Sequence, residues 1–285
     1  QFEQITCYTG SIRMDALTRV DYALSARGVL SVLLNRPEEK NAIDGTMVSE
    51  LIHLLDDSGR NPDVRALVIR GAGDVFSEGT DLRWLDQMSQ VPHAENLRDA
   101  TNLATLLEML DGFPKPVVAV VHGAVTGEAL GLVCACDVVV ASADTLFRMV
   151  DLSFGLVPAC VAPFLIAKAG QSQARNLLLT GRPFDAQRAK ELRIVHEIVA
   201  TRPQMDSAVE GVLSGILSGS PMAHKLTKSL IRRLTFHGHS ILSANTLDDV
   251  ARCLAQSRES PDVREGLQAV RSGRKPSWAP SDVSE

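Results

Sequence analysis

Asp151 is the single carboxylate in the apolar run Phe147–Ala159, FRMVDLSFGLVPA. Upstream of it an apolar segment, Val117–Val121, passes through glycine into a helix that opens at Gly127-Glu128. A strand that feeds a helix N-terminus through glycine exposes backbone N–H groups able to hold a developing negative charge. A carboxylate beside them can move a proton. The two features together suit chemistry at the carbon next to an activated carbonyl. The apolar neighbours Met149, Val150, Leu152 and Phe154 should raise the pKa of Asp151 by desolvation, as a base working near neutral pH requires. The alternative is structural: Asp151 caps a local turn or pairs with an arginine such as Arg148.

These residues need elements to position them. Val20–Leu34 alternates around a glycine, as a hairpin does. Met47–Leu55 has helical periodicity, with Asp44 as a cap. Val64–Ile69 is a short buried strand and Gly71–Thr80 a glycine-rich loop. Ala100–Leu110 reads as helix and Pro114-Lys115-Pro116 breaks it. Val117–Val121 and Asp137–Ala141 are strands on either side of the helix that starts over Gly127–Ala135. Asp185–Glu191 is a short helix, followed by the strand-like IVHEIVA, and from Pro203 to about Ser257 the pattern is helical. Buried strands alternating with helices predict an α/β fold with a mixed or parallel sheet. The helical last third must bury its apolar faces on the core or on a neighbouring subunit. The tail from Gly273, with proline, serine and charge, is expected to be loose.

The bulk numbers narrow the class. The chain has 285 residues, 45% hydrophobic and 22% charged, with net charge −5, an ordinary globular balance. It has no Lys/Arg-rich block, which argues against nucleic acid as a partner. It has no apolar run of membrane-spanning length, and its first residues lack a secretory pattern, so the cytoplasm is the expected compartment. Cys7, Cys134, Cys136, Cys160 and Cys253 are odd in number and read as reduced thiols; Cys134-Ala-Cys136 has no His/Cys partner motif to make it a metal or redox pair.

Five segments, in order, resemble the crotonase (enoyl-CoA hydratase/isomerase) superfamily: LNRPEEKNAI (Leu34–Ile43), VFSEGTDL (Val75–Leu82), KPVVAVVHGAVTGEALGLVCACDVVVAS (Lys115–Ser142), FRMVDLSFGLVPA, and GRPFDAQRAKELRIVHEIV (Gly181–Val199). The resemblance implies a spiral of repeated ββα turns over residues 17–200, a helical trimerisation region over 201–275 and a short tail, 276–285. It also implies a trimer or dimer of trimers, an acyl thioester of coenzyme A or of a phosphopantetheine carrier as substrate, and no metal or redox cofactor. FSEGTDL, Gly131 and DLSFGLVPACVAPFLIAKAG (Asp151–Gly170) are most similar to the polyketide β-branching dehydratases. Those act on a 3-hydroxy-3-methylglutaryl group held on an acyl carrier protein.

By position the resemblance assigns an oxyanion hole to the amides of Glu78, before Gly79, and Glu128, after Gly127. It places the family's first acid at Gly131, where it is missing, and the second at Asp151. Glu128 lies three residues before Gly131 and shares its helical face, so its carboxylate can partly replace the missing acid; otherwise it is a glutamate favoured in a first helical turn. Glu78 is either a proton donor to a departing hydroxyl or a solvent-facing loop residue. Thr80 and Asp81 are expected to line the substrate loop or fix it by hydrogen bonds, and His122 to be structural. Arg36, Lys40, Lys225 and Lys228 are candidates for phosphate, Arg232-Arg233 for a basic patch that steers an acidic carrier protein. Trp84, Met88 and Phe164 are candidates for shaping the acyl pocket. A Δ3,Δ2-enoyl-thioester isomerase, which needs one acid only, and a non-catalytic scaffold subunit are the alternatives to a dehydratase.

Overall fold

The computed structural model describes residues 17–236, 250–256 and 260–279. Strands β1 (Val20–Leu24) and β2 (Val29–Leu34) form the expected antiparallel hairpin. β2 then pairs in parallel with β3 (Ala66–Gly71), β3 with β4 (Val117–Val121), β4 with β6 (Val138–Ser142), and β6 with β9 (Glu197–Val199). The result is a six-stranded sheet in the order β1-β2-β3-β4-β6-β9. A small second sheet holds β5 (Ala124–Thr126), β7 (Leu146–Arg148) and β8 (Phe184–Asp185), in the order β5-β7-β8. Two turns of the chain lay a strand in the large sheet and then a short one in the small sheet: β4–β5, which enters α4 (Glu128–Ala135), and β6–β7. After β2 and β3 the short strand is reduced to single bridges, Ile43 with Thr80 and Ser77 with Val125. This is the ββα spiral.

Period-2 alternation divides the large sheet's side chains between two cores. Leu67, Ile69, Val117 and Ala119 face a cluster with α1 (Gly45–Arg60), α3 (His93–Asp111), α4 and α5 (Ala162–Thr180). Ala66, Val68, Val118 and Val120 face the opposite cluster, closed by α7 (Met205–Ser218) through Met205, Val209 and Leu213. The strands are buried on both faces, which is why they read as continuous apolar runs. The predicted cap of α1 is present: Asp44 accepts a hydrogen bond from the Met47 amide at 2.8 Å.

Some boundaries differ from the sequence reading. Helix α2 (Leu82–Gln90) has no counterpart in the sequence reading; its apolar side chains Trp84, Leu85 and Met88 are half-buried and line a cavity rather than the core. Helix α5 buries only Leu165, Ala174 and Leu177 over 19 residues and is broken at Gly170. Helix α3 starts seven residues before Ala100, in an exposed polar stretch. Of IVHEIVA, only Glu197–Val199 is strand. The helical C-terminal region is present, with α8 (Pro221–Phe236), a helical stretch over 250–256 and α9 (Pro261–Arg271). The start of the tail is held down: Arg65 donates to the Trp278 carbonyl at 2.7 Å, and the Trp278 indole donates to the Ser218 carbonyl at 3.2 Å. Cys134, Cys136, Cys160 and Cys253 are free thiols; Cys7 and residues 280–285 lie outside the described residues.

Candidate active site

The site is assembled by two loops that cross. After β3 the chain passes over the small sheet, where the Ser77 amide donates to Ala124 and Ser77 accepts from Thr126. Gly79 follows with φ of 82°, and a Cβ there would stand 2.4 Å from the Thr126 carbonyl. Only glycine fits so close a crossing. Ser77 fixes the turn by accepting the Gly79 amide and donating to the Asn41 carbonyl. Asn41 is fully buried, and its side-chain amide donates to the carbonyls of Ala72, Val75 and Phe76. Arg36 completes the frame: its guanidinium, 5% exposed, meets Asp81 at 2.9 Å and Asp44 at 3.2 Å and donates to the Ala42 carbonyl. It is a buried clamp with no freedom to receive a phosphate, contrary to the expectation for it.

Opposite this loop, Gly127 turns the chain from β5 into α4 with φ of 53°. Gly127, Glu128 and Asp151 converge here: a Cβ on Gly127 would lie 3.7 Å from Asp151 Oδ2. Asp151 starts a short 3₁₀ turn, Asp151–Phe154, that follows β7. It is buried, and its Oδ2 has no hydrogen-bond partner. Its carboxyl is pushed up to about 6, by burial first and then by the nearby charge of Glu128. Asp151 neither caps the turn with its side chain nor pairs with Arg148, which instead approaches Glu78 at 3.5 Å.

The backbone donors are unequal. The Glu128 amide opens its helix and donates to no acceptor among the described residues. The Glu78 amide, the other one assigned to an oxyanion hole, donates to the Lys40 carbonyl at 3.0 Å. The Thr80 amide donates to Glu128 Oε2 at 3.0 Å, tying the two loops together across the site. The Glu78 carboxylate accepts from the Thr126 hydroxyl at 3.0 Å and has Lys40 at 3.9 Å. Glu78 is thus held inside the loop framework rather than facing open solvent.

Two cavities meet at Thr80, Leu85, Glu128, Asp151 and Leu156. The inner one, about 220 Å³, runs between Val48, Trp84, Met88 and Leu103 and the chain from Val157 to Val161. The outer one, about 410 Å³, carries the cations Lys40, Arg83 and Arg148. Trp84 and Met88 are therefore placed in the inner cavity as expected; Phe164 packs against the core instead. Asp81 is a buried helix cap, accepting the Arg83 amide. Gly131 lines neither cavity: a Cβ there would meet Leu107 at 3.0 Å and Val161 at 3.2 Å, so packing occupies the place of the missing acid. Lys228 is bound to Asp137 and the Lys115 carbonyl at the start of β4 and β6, and Lys225 lies near Lys115. Arg232 pairs with Glu108 and Asp111. His122 bonds the Gly73 carbonyl at 3.0 Å and has a lowered pKa, chiefly through burial.

Asn41, Ser77, Asp99 and Leu156 were not singled out from sequence. Asn41 alone left a local signal, an asparagine in a turn, where φ is 55°.

The enoyl-CoA hydratase/isomerase family model matches residues 25–281. A putative enoyl-CoA hydratase of Thermus thermophilus is 33% identical over 252 residues, 87% of this chain and 96% of its own. A trans-2-decenoyl-acyl-carrier-protein isomerase of Streptococcus mutans is 28% identical over 256 residues, 88% of this chain and 94% of its own. Among solved structures, an enoyl-CoA hydratase from Shewanella pealeana matches with TM-score 0.87 and 36% identity, covering 92% of this chain and 96% of that one.

Proposed function

The chain belongs to the enoyl-CoA hydratase/isomerase family, and on that premise we propose that it removes water from a 3-hydroxyacyl thioester with Asp151 as its one proton-moving group. The observation that carries this reading is the buried, unpartnered Oδ2 of Asp151 at the junction of the two cavities. A carboxyl raised to about 6 is ionised at neutral pH yet basic enough to take a proton from carbon next to a thioester. As the proton leaves, charge moves to the thioester oxygen. The free Glu128 amide is placed to hold it, with the Glu78 amide joining once substrate displaces the Lys40 carbonyl. Asp151, now protonated, passes the same proton to the departing 3-hydroxyl, and water and the 2-enoyl thioester result. Amides hold the enolate charge, so the reaction calls for no metal or redox cofactor.

The outer cavity's cations, Lys40 and Arg83, support a phosphopantetheine arm entering from that side, from coenzyme A or from an acyl carrier protein. Exposed apolar side chains on the C-terminal helices, such as Met222, Leu234, Leu267 and Val270, support a homo-oligomer. The packing at Gly131 favours a second reading. With a single acid, Asp151 can return its proton to the γ-carbon instead of a hydroxyl, and the enzyme is then a Δ3,Δ2-enoyl-thioester isomerase. Intact-mass spectrometry of a 3-hydroxyacyl carrier protein, alongside absorbance of a 3-enoyl thioester, separates the two. Loss of one water supports the dehydratase, and double-bond migration without water loss supports the isomerase. Silence with both classes would sink Asp151 as the catalytic base.

A further inference from the structure

On the α3 side the inner cavity is lined by two polar side chains of one helix face, the half-buried Asp99 and the exposed Asn96, three residues apart. Asp99 has its carboxyl raised, mainly by burial and against a hydrogen bond from Trp84. That bond is long, with the indole nitrogen 3.4 Å from Oδ2, and among the described residues it is the carboxylate's only hydrogen bond to a side chain. Asp99 and Trp84, with Gly45 and Met88, also line a second, open cleft beside the inner cavity. Among the described residues no lysine, arginine or histidine lines the inner cavity, whereas Asp44, Asp99, Glu128 and Asp151 all do. Asp44 is neutralised by Arg19 and Arg36; Asp99 has no such partner. The cation of the open cleft, Arg98, lies on its outer side, 73% exposed and 3.9 Å from Glu95.

From this we infer that Asp99 sets acyl specificity: the enzyme takes an acyl chain whose distal end carries a hydrogen-bond donor, a hydroxyl or an amine, in preference to one that ends in a carboxylate. An acidic side chain in the cavity wall with an unfilled acceptor rewards a donor and leaves a bare methyl indifferent. It repels an anion brought beside it without a counter-charge. The glutaryl-like group implied by the resemblance to β-branching dehydratases therefore has no cation waiting for it on the acyl side. This inference rests on the reading of the inner cavity as the acyl site of the proposed reaction.

The test is a set of 3-hydroxyacyl-pantetheine thioesters of equal length ending in methyl, hydroxyl, ammonium or carboxylate. In the wild type the hydroxyl and ammonium chains should exceed the carboxylate chain in kcat/KM by about tenfold or more, with methyl between. Asp99→Leu should remove that order and favour methyl. Asp99→Asn should equalise ammonium and carboxylate while keeping the hydroxyl preference. The hydroxyl and ammonium arms tell which donor is preferred. A wild type that favours carboxylate, or an order unchanged in Asp99→Leu, overturns the inference. Binding of the matching unreactive thioethers, measured calorimetrically, reports the same order without turnover. If those bind in the expected order and no thioester reacts, the proposed reaction fails while the specificity stands.

Discussion

Asp81, on the loop after β3, and Asp151, on the turn after β7, border one site, both almost out of contact with solvent at 7% and 4% exposure, yet they are set in opposite directions. Burial alone would raise Asp81, but hydrogen bonds from Arg36 and Arg83, with the Arg36 charge, pull it below the ordinary carboxylate range. Burial raises Asp151 and nothing opposes it effectively, so it stands at about 6. One loop invests its acid in holding Arg36, Asp44 and the start of α2 together. The other leaves an oxygen unpartnered in a cavity. Depth does not distinguish a working acid from a structural one; the missing partner does.

The strongest way to break the comparison is to remove the unpartnered acid. Asp151→Asn should lower kcat by about 10³-fold, within the range of a lost general base, with the fold intact by circular dichroism. A variant with turnover near wild type would move the proton chemistry elsewhere. The counterpart in the other loop should show in stability instead. Arg36→Ala leaves Asp81 buried with only the exposed Arg83 at 3.5 Å and should cost about 3 kcal/mol in urea unfolding. A loss under about 1 kcal/mol would mean the clamp is not what holds the loop.

The same contrast explains what could be read from the sequence. Asp151 was legible as a lone carboxylate in an apolar run. Yet of its neighbours Met149, Val150, Leu152 and Phe154 only Met149 is buried, while Leu152 and Phe154 are exposed, so its burial comes from the fold more than from the run. Arg36 was misread as a phosphate contact because its partners Asp44 and Asp81 are 8 and 45 residues away, and an ion pair at that separation leaves no local pattern. The side-chain partners of Glu78 and Asn41 were obscure for the same reason: Thr126 and the carbonyls of Ala72, Val75 and Phe76 are brought to them only by the fold. The central strands were legible because burial on both faces writes them as runs such as Val117–Val121. Helix α2 was not, although Trp84, Leu85 and Met88 give it an apolar face: it is only nine residues long and that face lines a cavity instead of the core.

The pH dependence of stability should divide along the same line. The Asp151 carboxyl is raised in the folded state, so the native protein binds more protons than the unfolded chain between the ordinary carboxylate range and about pH 6. Its contribution is favourable at low pH and is lost as pH rises through that window. Asp81 is lowered, so its contribution is present above the ordinary range and is lost as pH falls. Urea midpoints from pH 4 to 7.5 should therefore show Asp151→Asn gaining on wild type as pH rises, by about 2 kcal/mol at neutrality. A constant difference across that range would mean Asp151 does not titrate where the site requires.

The finest test concerns what tunes Asp151. Its pKa is raised by burial first and by Glu128 second, and the Glu128 carboxylate spends one oxygen on the Thr80 amide. Glu128→Gln keeps an oxygen for that amide and removes the charge. With Asp151 as the base, kcat/KM rises with pH as the carboxyl ionises. Removing the repelling neighbour makes ionisation easier, so the acid limb should move to lower pH, with the plateau changed by less than about tenfold. The shift should be smaller than the full elevation, because burial is the larger cause and remains. If the limb does not move while the plateau collapses, Glu128 takes part in the proton transfer itself. The two carboxylates would then share the work that this geometry gives to Asp151 alone.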